Sequence, residues 1–150
     1  GNSCINEIGV SKRLYDDLRT LAEEFGKMGH YGEAITQYTR IISEGKARVL
    51  DYNGIGLNFI LTKQYSKAIK FLKEGEKLDG TELLIKLNLA HAYLLNNEYG
   101  NAKTIYKEYQ SQNLTSNLSW NQKIKQDFAL FKKIGLPSDD FERVLKLLKF

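Results

Sequence analysis

Two histidines are the residues best suited to do chemistry in this chain, and they are poorly placed to do it together. His30 and His91 lie far apart in sequence and lack the short spacing of a metal-binding pair. His91 sits among leucines and alanines with no nucleophile or paired acid recurring near it, so a histidine bridging polar groups is a better reading than a general base. The acidic doublets Asp16-Asp17, Glu23-Glu24 and Asp139-Asp140 are adjacent. On helices such neighbours point in different directions, which suits solvated faces and helix starts rather than a shared acid–base site. The glycines are isolated, so no phosphate-cradling loop is present. These residues predict neither an active site nor a metal or cofactor site, and enzyme activity is not expected.

Composition points the same way. The 150 residues are 42% hydrophobic and 27% charged, enough for one domain with a continuous core. A single proline suits long helices with short connections. Of the net charge of +4, most is carried by the end of the chain, where seven basic side chains stand against four acidic ones after residue 112. Its lysines (Lys123, Lys125, Lys132, Lys133, Lys146 and Lys149) form no concentrated stripe, so no nucleic acid partner is expected. Cys4 is the only cysteine, which rules out an intramolecular disulfide. No apolar run is long enough to span a membrane. A cytoplasmic location is expected. The chain begins with Gly1 rather than Met, so a periplasmic or lipid-anchored location, with Cys4 near the attachment point, is the alternative if a signal sequence preceded it. Asn113 and Asn117 begin glycosylation sequons, a triplet that also arises by chance.

The elements that would position any site come from an internal repeat. HYGEAITQY, QYSKAIKFL and EYGNAKTIY align without a gap, placing Ala34, Ala68 and Ala102 at 34-residue intervals. The same register aligns Tyr31, Tyr65 and Tyr99, then Ala22, Gly56 and Ala90, then Leu21, Ile55 and Leu89. It also aligns Phe25 with Phe59 and Tyr93, and Tyr38 with Leu72 and Tyr106. Each unit reads as two helices. Ser11 would cap the first, after a non-helical lead over residues 1–10; Gly29 would turn the chain and Gly45 would close the second helix. Helices near 49–62, 65–78, 82–96 and 99–112 follow. The small residues mark where paired helices cross at about 8–10 Å, too close for larger side chains.

After Asn113 the register slips. Ser119 with Gln122 makes a capping box for a helix over 120–134, which Gly135-Leu136-Pro137 stops. Ser138 or Asp139 caps a last helix at 139–149. This hairpin, residues 117–150, would cover the apolar end of the stack.

These residues resemble the tetratricopeptide repeat family over residues 15–116, in units of about 15–48, 49–82 and 83–116. The resemblance implies an all-α fold, an α-solenoid of antiparallel helix pairs in a right-handed superhelix, with about eight helices. Departures fall at the family's frequent proline (here Lys46, Gly80 and Leu114) and at a second small residue (here Ile41, Gly75 and Tyr109), which bears on the curvature.

In that family the first helices of successive units line a concave groove that receives a protein or peptide partner. Carried onto this chain, the groove would present Arg19 and Glu23 from the first unit and Asn53, Leu57 and Ile60 from the second. The third would add Leu84, Leu87, Asn88, His91 and Leu94. Members that grip a chaperone's C-terminal carboxylate use basic residues and asparagines at fixed places. Here only Arg19 matches a basic one, while Glu23, Gly54, Leu84 and Asn88 hold the others, so that ligand is not expected. The segment Leu83–Leu95 is apolar nearly all round, apart from Lys86, Asn88 and His91. Either the protein's own C-terminal helices cover its second face, or the face awaits a partner's apolar segment. An adaptor binding a peptide or helix is the leading expectation. A self-filled groove in a homo-oligomeric scaffold is the alternative.

Overall fold

The computed structural model describes the backbone of residues 2–136 and 138–149, and the side chains of residues 9, 11–136 and 138–149. The side chains of Cys4 and of Pro137 lie outside the described residues. Among the described residues the elements run α1 (Asn2–Lys27), α2 (Tyr31–Ser43), α3 (Val49–Leu61), α4 (Tyr65–Leu78), α5 (Leu83–Leu95) and α6 (Tyr99–Glu108). A two-stranded hairpin follows, β1 (Asn113–Thr115) and β2 (Leu118–Ser119), then α7 (Trp120–Lys133) and α8 (Asp140–Leu147). Consecutive helices pack against one another from α1 to α6, and α1 meets α3 as α3 meets α5. This is the all-α solenoid of helix pairs expected from the repeat.

The repeat is visible in the backbone as well as in the residues. The turn inside each pair demands a left-handed residue at one place, and Gly29 (φ 80°), Lys63 (φ 63°) and Asn97 (φ 61°) supply it at 34-residue spacing. Tyr31, Tyr65 and Tyr99 then open the second helices. Gly45 (φ 70°) and Gly135 (φ 83°) end their helices as glycine permits.

Ala22, Ala34, Ala68, Ala90, Ala102 and Gly56 are all buried. The neighbour that makes Gly56 necessary is Leu72, one turn beyond Ala68: a β-carbon on Gly56 would fall within the Leu72 side chain, which is itself buried. Gly54 meets the Tyr38 ring in the same way. Helix propensity alone favours alanine over glycine by about 1 kcal/mol. Here overpacking reverses the sign, and Gly56→Ala is expected to destabilise by about 1–3 kcal/mol in a denaturant titration. A gain in stability would show that the α3–α4 crossing has room to spare.

Three boundaries depart from the sequence reading. Ser11 does not cap the first helix, because the backbone is already helical from Asn2. No proline interrupts residues 2–27, and a cap would need a non-helical residue where the helix runs on. The sixth helix stops at Glu108 instead of 112, and the hairpin takes over. Gln112 O accepts the Trp120 N–H at 3.0 Å, and Ser119 forms the expected capping box with Gln122. The last helix is shorter than 139–149. Its first turn is tied by Ser138 Oγ, which accepts the Asp140 N–H, and not by Asp139.

Candidate functional site

The face of the first helices divides into a polar seam, a covered apolar stretch and a small open patch. Arg19 on α1 belongs to the seam. Its Nε donates to both carboxylate oxygens of Asp51 on α3, at 2.9 and 3.0 Å. Its other nitrogens reach Asp16 Oδ1 at 3.1 Å and the Lys46 carbonyl at 3.0 Å. The hydrogen bond to Asp51 raises the Arg19 pKa, against the effect of burial. Asp51 is buried and also accepts the Arg48 N–H at 2.8 Å, which fixes the first turn of α3. Arg19 therefore ties two units together and is not a free cation for a ligand. Asn88 Nδ2 likewise donates to Asn53 Oδ1 at 2.8 Å, joining α5 to α3.

The covered stretch centres on His91. It is fully buried, with Nδ1 2.7 Å from the Tyr106 hydroxyl on α6 and Nε2 2.9 Å from Asp127 Oδ2 on α7. Both ring nitrogens are satisfied: Nδ1 pairs with the Tyr106 hydroxyl, and Nε2–H donates to the Asp127 carboxylate. Asp127 Oδ1 takes Lys123 Nζ at 3.0 Å. Burial pushes the Asp127 carboxyl up, but the hydrogen bond and charge interaction with His91, together with Lys123, outweigh it. The net pKa lies below the ordinary value. Burial, then the Asp127 charge, drives the Tyr106 phenol well above its ordinary range. Phe131 and Phe128 close over the imidazole with ring centroids at 5.1 and 5.6 Å, the first edge-on.

Tyr106, His91 and Asp127 stand in the order of a proton relay. The imidazole at its centre has no exposed surface. His30, by contrast, is exposed at the α1–α2 turn, 3.8 Å from the Glu33 carboxylate. Among the described residues no group of three histidine, cysteine, aspartate or glutamate side chains is placed to hold a metal.

The groove drawn from the sequence is corrected accordingly. Ile60, Leu87, Asn88, His91 and Leu94 are buried. Leu87 and Leu94 lie one turn either side of His91 and so share its side of α5. The apolar character of α5 fits its packing against α3, α4 and α6, with α7 of the same chain covering it at His91. Glu23 is exposed, and Asn53, Leu57 and Leu84 are half-buried. Leu50, one turn before Asn53 and two before Leu57, is 51% exposed. Leu84 faces a cavity of about 340 Å³ that Leu83, Leu114, Leu118 and Lys123 also line, between the start of α5, the hairpin and α7.

Sequence reasoning missed Asp127, Tyr106, Lys123 and Trp120 as a connected set. A signal was present: Asp127 falls between Ile124 and Phe128 on the apolar side of its helix, an acid where only a buried partner would keep it.

No helix among the described residues is long and apolar enough to cross a membrane. No protein-family model matches the chain, and no curated protein matches it in sequence. The tetratricopeptide likeness rests on the chain's own 34-residue recurrence and on its paired helices.

Proposed function

We propose that the protein is a tetratricopeptide-like adaptor that binds a segment of another protein on the open part of its first-helix face. The observation that carries this reading is the patch left free beyond the covered stretch: exposed Leu50, half-buried Leu57 and Leu84, and Glu23 at its edge. Leu50 and Leu57, two turns apart on α3, and Leu84 on α5 suit apolar anchors of a peptide, with a polar rim to set its direction. The inter-unit ties through Arg19–Asp51 and Asn53–Asn88 hold that surface in one shape, which lowers the cost of binding.

The test is capture from a lysate of the native host with wild type and with Leu50→Lys/Leu57→Lys. Both residues reach solvent, so the variant is expected to keep its helical circular dichroism. It is expected to lose, at least ten-fold, the partners that wild type recovers. Equal recovery by the two proteins would contradict the assignment of the patch.

A second reading, self-association through an end of the stack, is favoured by one observation. Ile55 and Leu89 are 0% and 3% exposed beneath the preceding unit, whereas Leu21 in the same column is 43% exposed. Leu14 and Met28 are exposed one heptad to either side of it. If that end drives assembly, light scattering gives a concentration-dependent mass that Leu21→Glu abolishes. A constant monomer mass for wild type removes this reading.

A further inference from the structure

The second helix of the middle unit carries positive charge without matching acids. Residues 63–78 hold five lysines (Lys63, Lys67, Lys70, Lys73 and Lys77) against two glutamates. All five lysines are exposed, and none forms an ion pair among the described residues. We propose that this face of α4 is a docking surface for an acidic polypeptide segment, separate from the patch on the first helices.

The lysines share one side of the helix. Ala68, Leu72 and Gly75 are buried and mark the side of α4 that packs on α3 and α5. At about 100° per residue, Lys70 and Lys77 stand opposite that side, with Lys67 and Lys73 flanking them. Lys63 lies in the turn just ahead of the helix. Of the two acids, Glu76 is taken by Lys86 of α5 at 2.6 Å. Glu74 alone is left among the lysines. The neighbouring second helices are built otherwise. On α2, Glu33 stands against Arg40, which Glu44 pairs at 3.0 Å, and α6 has Lys103 and Lys107 with Glu108.

Like charges one turn apart repel, and an acidic partner would relieve that cost. Three of the lysines are also held in place. Lys67 Nζ lies 5.8 Å from the Phe59 ring centroid, Lys70 Nζ 5.7 Å from Phe71 and Lys73 Nζ 5.8 Å from Tyr93. Resting on ring faces trims the rotamer freedom that a lysine otherwise loses on binding. The rings also select among anions. Phe59 is buried and stacked on Phe71 at 5.4 Å, so the pair cushions the ammonium groups and offers no platform for nucleic acid bases. Leu78 is the one large apolar side chain of α4 that is strongly exposed, too little to hold a membrane surface. An acidic peptide needs neither feature. Lys67 and Lys77 are about 15 Å apart along the helix, a span of about five extended residues.

The test uses the full chain and a fluorescein-labelled peptide of ten glutamates, read by anisotropy. Salt is held at about 0.15 M, where exposed charges are screened beyond about 8 Å. Wild type is expected to bind the peptide. Lys67→Gln/Lys70→Gln/Lys77→Gln is expected to bind at least ten-fold more weakly. Its helical circular dichroism should be unchanged, because all three side chains are exposed. Lys133→Gln/Lys146→Gln/Lys149→Gln removes the same charge from the C-terminal hairpin and is expected to change affinity less than two-fold.

Equal losses in the two variants would mean that net charge alone draws the peptide, and would overturn the proposal. Failure of wild type to bind overturns it too. So does a loss in the α4 variant that is larger for phosphatidylserine vesicles or a DNA duplex than for the peptide. Should the triple variant unfold, Lys70→Gln and Lys77→Gln are read singly. Each is expected to lose at least two-fold, and no loss in either overturns the proposal. The α4 lysines are not part of the first-helix patch, so this proposal and the adaptor reading fail separately.

Discussion

Asp127→Ala is expected to destabilise the protein by about 3–5 kcal/mol, read as a shift of the denaturation midpoint at neutral pH. The carboxylate is the partner of a histidine with no access to water, and alanine provides no substitute acceptor. Lys123 loses its partner as well, but it is partly exposed and can be hydrated, so the cost falls mainly on His91. Asp127→Asn keeps an acceptor for the His91 N–H and should recover more than half of the loss. The pH dependence has a defined sign. Because the folded carboxyl titrates below its ordinary value, its contribution is complete above about pH 4, the range of an unfolded aspartate. It is lost as the pH falls through the depressed folded value. Wild type should therefore show a steep acid loss below about pH 4 that Asp127→Asn lacks. Parallel acid curves for the two proteins would mean that Asp127 is not ionised against His91.

Trp120→Ala is the second large effect, expected to cost about 3–5 kcal/mol. The indole is completely buried at the start of α7, packed beside Tyr109 at a centroid distance of 5.2 Å, with its N–H given to the Tyr106 carbonyl. Truncation removes both a large apolar surface and a hydrogen bond at the point where the hairpin hands the chain to α7. Trp120→Phe separates the two terms: it keeps most of the packing and should cost about 1–2 kcal/mol. If alanine and phenylalanine are equally tolerated, the start of α7 is not a fixed point of the structure.

These two residues also mark the limit of what the sequence made legible. Turns, pairings and core columns could be read because each unit repeats the same physical demands 34 residues on. Ala34, Ala68 and Ala102 announce a close approach, and Tyr31, Tyr65 and Tyr99 announce a helix start. Lys63 and Asn97 hold a left-handed turn that only Gly29 made obvious. The C-terminal hairpin has no second copy to be compared with. Its helices could be drawn from caps and periodicity, but their seat on the solenoid is fixed by long-range pairing of single residues. Local pattern carries no record of which helix His91 meets.

The same reason explains the candidate site. The apolarity of Leu83–Leu95 was plain, and two coverings were compatible with it: a partner or the chain's own end. What decides between them is an acid on the apolar side of α7, which supplies the third-unit face with a cover. Arg19 was misplaced for a related cause. A basic residue facing a groove and one bridging to Asp51 in the next unit have the same local sequence, and they differ only in what lies 32 residues on.

Whether the third-unit face is closed by the chain itself is tested most directly by histidine modification, because the protein carries only His30 and His91. Native protein is treated with diethyl pyrocarbonate and the modified sites are mapped by mass spectrometry. His30 has a side chain 57% exposed and His91 has none of its surface exposed. The account predicts rapid modification of His30 while His91 stays unmodified until the protein is unfolded. Modification of His91 in the folded protein at a rate near that of His30 would contradict it, and would mean that this face stands open in solution.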